Sequence, residues 1–271
     1  MRAFSPGEQG PRLPILMYHR VVAPGQGDSG PGAQNPAYRL PLPLFWEQMH
    51  LLREGGYPTP TLNRLLDSDA GPVQDQSVVI TFDDGWVDNY TNALPVLVET
   101  GLKATLFVVT GFVGRKGYLN WRQLAEMQGK GMSVQSHTHG HKPLPLLAEE
   151  EMRAELEVSK GSIEDRLGTA VDFLSAPHGM LDARVIRAAR SSGYRGICTS
   201  EPGFTHTYGA PAVFKRINIS SRFGPTRFQR VIKRNRTSIL SDVAMKRLGN
   251  LVKKSLGYKN YRKLYVLRYG P

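Results

Sequence analysis

The chain has 271 residues, a net charge of +12, an apolar share of 40% and a single cysteine, Cys198. An internal disulfide is therefore excluded, and no run of about eighteen apolar residues marks a membrane-spanning helix. The figures are ordinary for a globular protein with one sizeable core or two small domains.

Residues Met1 to Gly10 lack the apolar stretch of a secretory signal. The expected setting is the cytoplasm or the inner face of the membrane. Leu13 to Val22 reads as a strand, and Ala23 to Asn35, rich in Gly, Pro and polar residues, as a mobile loop near a site. Short helices are expected over 45–53 and 62–66, with Gly55-Gly56 ending the first. Strand and helix then alternate: strand 78–82, helix 92–99, strand 104–109, helix 121–127, strand 132–135, helix 149–166, strand 172–174, helix 182–191 and strand 196–199. Repeated strand-then-helix units imply a parallel sheet wrapped by helices, with functional residues just past the C-terminal strand ends.

Two clusters sit at such ends. Thr81-Phe82-Asp83-Asp84-Gly85 follows the apolar run Ser77-Val78-Val79-Ile80, and Ser136-His137-Thr138-His139-Gly140-His141 follows Met132-Ser133-Val134. One carboxylate and two imidazoles supply three ligands to a divalent metal and leave positions open for water and substrate. The second carboxylate is then free to act as a base, a set suited to metal-assisted hydrolysis of an acyl group. Alone, Asp-Asp-Gly is an ordinary turn, and two histidines four apart share a face of any helical turn. The two motifs together, each at a strand end, carry the metal reading.

In these residues the chain resembles the polysaccharide deacetylase family, the NodB-like carbohydrate esterases, which remove N-acetyl or O-acetyl groups from sugar polymers. That family's first motif is Thr-Phe-Asp-Asp-Gly, and its second is His, Ser or Thr, two variable residues, then His. Ala104 to Val109 is similar to its second strand, and Leu119 to Leu124 to the helix before its third. Leu16-Met17-Tyr18-His19-Arg20-Val21 is similar to the opening strand of the exopolysaccharide-biosynthesis branch. The likeness covers most of residues 14 to 220. It implies an irregular (β/α) barrel of seven strands, with Asp83 as general base and Asp84, His137 and His141 as ligands of Zn2+, or of Co2+ or Ni2+. His139 falls in a variable slot and is expected to line or support the site. Pro177, His178 and Gly179 form the third motif and are expected to touch substrate, an acetylated glycan or its lipid-linked precursor.

At two positions the chain departs from the family pattern. The family commonly places an arginine two residues before the third-motif proline to orient the base, and Ser175 stands there instead. Arg216, within Phe214 to Ile219, a segment similar to a late strand of the exopolysaccharide branch, is expected to bring the missing charge from another direction. The family's late Leu-x-His is also missing, since nothing from His206 onward fits it. His178 and His19 are left as candidate acids. Without an acid, amide cleavage would be slow, whereas an acetyl ester could still be cleaved.

Charge divides the chain. From Ser221 to Pro271 there are fourteen Lys and Arg against one acid, Asp242. Residues 1–220 are expected to form the barrel, and 221–271 a basic, helical extension. Phe228, Val231, Ile232, Leu248, Leu251, Val252, Leu256, Tyr258, Tyr261, Leu264 and Tyr265 are spaced through it as in amphipathic helices. Such a segment suits an anionic membrane, an acidic glycan or plain packing with a solvated face. No nucleic-acid module is recognisable. Two other readings of the whole chain stay open: a catalytically weak relative that binds glycan or membrane, and a hydrolase of C–N bonds in small cyclic amides.

Overall fold

The computed structural model describes residues 12–25, 38–66, 73–206 and 213–256. In chain order, β1 (Arg12–Leu13), β2 (Ile15–Tyr18), β3 (Arg20–Val22) and β4 (Arg39–Pro41) precede helix α1 (Leu42–Glu54). Strands and helices then alternate as β5 (Val79–Phe82), α2 (Leu94–Thr100), β6 (Thr105–Val108), α3 (Trp121–Gly129), β7 (Ser133–Ser136), α4 (Glu149–Leu167), β8 (Phe173–Ser175), α5 (Ala183–Ser191) and β9 (Gly196–Cys198). Short strands β10 (Thr205–His206), β11 (Val213–Phe214) and β12 (Ile217–Asn218) follow, then helices α6 (Pro225–Ile232) and α7 (Leu240–Leu256). Most of the loop expected over Ala23–Asn35, and the tail beyond Leu256 with Tyr258, Tyr261, Leu264 and Tyr265, lie outside the described residues.

Eight strands form one parallel sheet in the order β11-β9-β8-β7-β6-β5-β2-β12. That is one more than the resemblance implied, and each edge strand has only two residues. These edges are neighbours in the chain, with just Lys215 and Arg216 between them. Three Cα steps span at most about 11 Å, so the sheet curls until its edges nearly meet. The result is a (β/α) barrel with a seam, and the dipeptide Lys215–Arg216 crosses it.

Two expected strands are broken. The segment Phe214 to Ile219 is divided between β11 and β12 on opposite sides of the seam, because Arg216 turns its side chain into the barrel. The stretch Leu13 to Val22 is three pieces. Pro14 has no N–H to contribute to a ladder, although its carbonyl accepts from the Val79 N–H. Past His19 the chain leaves the barrel, and β3 pairs with β4.

The pleat sorts side chains between two apolar layers. Ile15, Val79, Phe107, Phe173, Cys198 and Phe214 pack together as the barrel floor. Their strand neighbours Leu16, Ile80, Leu106, Val108, Leu174 and Ile197 belong to the larger cluster that the helices cover. Every residue of β2, β5 and β6 is buried, as expected for parallel strands covered on both faces. Along β5, Val79 lies on the floor, and the same parity carries Thr81 and then Asp83 up the lumen. In β7 the inward series Ser133, Gln135 leads to His137, and in β8 Phe173 leads to Ser175.

The helices are fixed by ordinary devices. Asn120 and Gln123 form a reciprocal capping box at the start of α3, each bond 2.9 Å, and Asp182 caps α5. The helix expected from Asn92 starts earlier, as a π-turn over Asn89–Ala93. There the Asn89 and Asn92 amides both reach back to carbonyls of the β2–β3 segment, His19 and Val21, at 2.7 Å each. The chain beyond residue 220 first joins the barrel wall, since Phe228, Val231 and Ile232 of α6 are part of the main core. No helix among the described residues is long and apolar enough to cross a membrane.

Candidate active site

The C-terminal ends of β5 and β7 bring Asp84, His137 and His141 together, and their ligand atoms all lie within 4.8 Å of one another. Asp84 Oδ1 is 3.3 Å from His137 Nε2 and 3.5 Å from His141 Nε2. Those separations are long for hydrogen bonds. They match the edge of about 3.4 Å expected when ligand atoms sit about 2.1 Å from one tetrahedral centre. A second feature also fits a cation. His137 Nδ1 donates to the Ser175 carbonyl at 2.8 Å, which turns the Nε2 lone pair toward the cluster. Trp86 Nε1 donates to Asp84 Oδ2 at 3.0 Å and leaves Oδ1 facing the imidazoles.

The histidine pair does not meet through a helical turn. Residues 137–141 are irregular, and Thr138 and His141 take positive φ angles of 66° and 56°. The Thr138 hydroxyl accepts from the His141 N–H at 3.1 Å and holds the bend. Of the five described non-glycine residues with positive φ, four are Asp84, Thr138, His141 and His178. Such backbone strain, roughly 1–3 kcal/mol each, persists where surrounding structure imposes it and gathers at functional sites.

Charges in the cluster are strongly coupled. Burial pushes Asp84 upward, but the adjacent His137 ring nitrogen and the charge of His141 outweigh it and hold the carboxyl far below its usual range. His137 is raised, because the carboxylates of Asp83 and Asp84 overcome its burial. His141 is pushed down to about 3 by burial and by the charge of His137. The same two carboxylates that favour positive charge at His137 would favour a divalent cation there.

Asp83 stands beside this cluster, 3% exposed, with Oδ2 3.9 Å from His137 Nε2. Both its oxygens are held by Arg216, from Nη1 to Oδ1 at 2.7 Å and from Nη2 to Oδ2 at 2.7 Å. Ser175, in the slot where the family carries arginine, joins the same network. Its hydroxyl accepts from Arg216 Nη2 at 2.8 Å and donates to Asp83 Oδ2 at 3.1 Å. The remaining guanidinium hydrogens go to the Thr81 hydroxyl at 3.2 Å and the Thr199 carbonyl at 3.0 Å. Burial favours the neutral acid at Asp83, yet Arg216 and His137 together hold its carboxyl below the ordinary value.

The other expected residues lie around this centre. His19 is 8% exposed, its Nδ1 has no hydrogen-bond partner among the described residues, and its ring packs 4.4 Å from that of Tyr38. Burial lowers it, while the nearby charges of Asp84 and Asp83 act in the opposite direction. Pro177, His178 and Gly179 form a 3-10 turn past β8, with the His178 ring 4.9 Å from that of His141. His139 points away to Thr110, its Nδ1 3.0 Å from the hydroxyl. Sequence reading did not single out Trp86, Thr81 or Ser175 as working parts. Only the position of Trp86, directly after Asp-Asp-Gly, could have drawn attention to it.

Comparisons with known proteins bear on the family and the fold. A family profile described as polysaccharide deacetylase matches residues 70–197. A Bacillus subtilis protein assigned as a polysaccharide deacetylase, YxkH, is 33% identical over 216 residues, 79% of this chain and 73% of that protein. The chain belongs to the polysaccharide deacetylase family. The fold of this deacetylase relative agrees with that of a Streptococcus pyogenes deacetylase, PplD, solved with acetate, at a TM-score of 0.72 and 24% identity over 82% of this chain and 98% of that one. The Escherichia coli poly-beta-1,6-N-acetyl-D-glucosamine N-deacetylase is 27% identical over 110 residues, 34% of this deacetylase-family chain and 16% of that protein.

Proposed function

We propose that this protein is a divalent-metal-dependent hydrolase that removes acetyl groups, N-acetyl before O-acetyl, from a polysaccharide or its lipid-linked precursor. The observation that carries the reading is Asp83, gripped on both oxygens by Arg216 and set beside, but outside, the Asp84, His137 and His141 cluster. Family membership supplies the glycan class, and the E. coli relative's N-deacetylase name favours the amide. Asp84, His137 and His141 would hold the cation, with Zn2+, Co2+ and Ni2+ all compatible with two imidazoles and a carboxylate. When bound, it supplies polarisation of the acyl oxygen and a lowered pKa for water.

The chain's own residues do the rest. Asp83 accepts the proton of the attacking water, a role supported by its Oδ2 lying 3.9 Å from His137 Nε2, beside the cluster. Arg216 lowers its basicity, but in exchange the carboxylate stays ionised and its orientation is fixed. His19 is the first candidate donor to the departing nitrogen, supported by a buried Nδ1 that has no hydrogen-bond partner among the described residues. His178, 4.9 Å from the His141 ring, is the second candidate. Pro177, His178 and Gly179 form the lip against which the sugar rests.

The test is acetate release from a panel of N-acetylated and O-acetylated glycans, alongside ring opening of small cyclic amides, with chelator and with added metal. Metal-dependent release from glycans, lost in Asp83→Asn with metal content retained, supports the reading. Turnover confined to the cyclic amides, or acetate release unchanged in Asp83→Asn, defeats it.

A further inference from the structure

Helix α7 carries a feature that catalysis does not use. Leu240 (59% exposed), Met245 (68%), Leu248 (56%) and Leu251 (62%) all present their side chains to solvent. At 100° per residue these positions, together with exposed Ala244, span about 140° of the helix surface. Arg247 flanks the stripe, while Asp242 and Lys246 turn toward the body. Asp242 pairs with Arg227 of α6 at 2.6 Å, and Lys246 Nζ donates to Ser200 Oγ at 3.1 Å. Ser200 packs against Gly179 too closely for a side chain there. The helix is thus anchored beside the mouth of the barrel with its apolar face outward.

We propose that the exposed face of α7 docks on an anionic lipid bilayer. The apolar stripe needs an apolar complement, which neither a glycan nor a nucleic acid offers. The segment 221–271 also carries fourteen cationic residues against one acid. A second copy of this chain would bring an equal positive charge to the same face and be repelled. An anionic membrane satisfies both halves, with apolar side chains at the acyl boundary and Lys and Arg among the headgroups. Because Lys246 ties α7 to the Ser200–Gly179 contact, docking holds the mouth of the barrel at the lipid surface. The proposal is independent of the catalytic reading.

The experiment sediments the full chain with vesicles of phosphatidylcholine alone and of phosphatidylcholine mixed with phosphatidylglycerol, at low and at raised salt. Binding is expected with the anionic vesicles, weakened by salt. It should fall at least tenfold in Leu248→Glu/Leu251→Glu, whereas Val158→Glu, an exposed apolar site on α4 (46%), should bind as wild type. Matched circular dichroism spectra show that the variants are folded. No binding to anionic vesicles at low salt, or binding unchanged in the double variant, overturns the proposal. So does a stable dimer in solution that Leu248→Glu/Leu251→Glu dissociates without any vesicle binding.

Discussion

The guanidinium of Arg216 holds both carboxylate oxygens of Asp83 at 2.7 Å, across 133 residues of chain and the seam of the barrel. All five of its N–H groups are engaged, and it is 1% exposed. Removing one partner of such a buried pair typically costs about 3–5 kcal/mol, because the other charge is left without compensation. Arg216→Met should destabilise by that order in thermal or urea unfolding. Arg216→Lys should fold better but lose the two-pronged grip, and with it turnover.

The pH dependence of that loss has a definite sign. With Arg216 present, the Asp83 carboxyl lies below its ordinary value. Its contribution is complete above the unfolded-state value of about 4 and is lost as pH falls through the folded one. Without Arg216, burial raises the Asp83 value, so mild acid relieves the unpaired charge by protonation. The stability gap between wild type and Arg216→Met should therefore narrow from pH 7 to pH 4. A gap that widened would show that Arg216 does not act through Asp83.

Ser175 offers a positional test. Ser175→Ala removes one hydroxyl between Arg216 and Asp83 and should cost about 1 kcal/mol. Ser175→Arg should be inactive, since it forces a second cation and a large side chain into a filled lumen. The exchange Ser175→Arg/Arg216→Ser returns the charge to the family's usual place. It should recover part of the lost acetate release, measured against both single variants.

Metal linkage should follow the three-ligand cluster. Chelation is expected to lower the melting temperature of wild type, and titrated Zn2+ to restore it, because a ligand bound only by the folded state stabilises it. His137→Ala, or Asp84→Ala, should abolish the metal-dependent shift. A full shift in either variant, with about one bound metal per chain by elemental analysis, would remove the ligand from the site.

Cys198 lies on the barrel floor, fully buried, and burial pushes its thiol up to about 12. Since the thiolate is the reactive form, a thiol-specific reagent should leave the native protein unmodified at pH 8 and titrate one thiol per chain in guanidinium chloride. Rapid native labelling would mean that the floor opens.

Much of this protein was fixed by patterns of short range. Alternating strands and helices announced the parallel sheet, and Asp83, Asp84, His137 and His141 were visible because their two motifs follow buried strands, although the two-residue period itself carries only as far as Asp83 and His137. Local sequence could not show how residues distant along the chain meet. The curl of the sheet decided that β11 and β12 face each other across a seam, and so that Arg216 fills the place Ser175 leaves vacant. Two residues bent into positive φ, Thr138 and His141, bring the imidazoles together, where the spacing alone suggested a helical turn. Periodicity reports which face of an element a residue occupies, whereas closure of the barrel sets which faces converge. Side chains of opposite charge then pair where water has been excluded and no other partner remains.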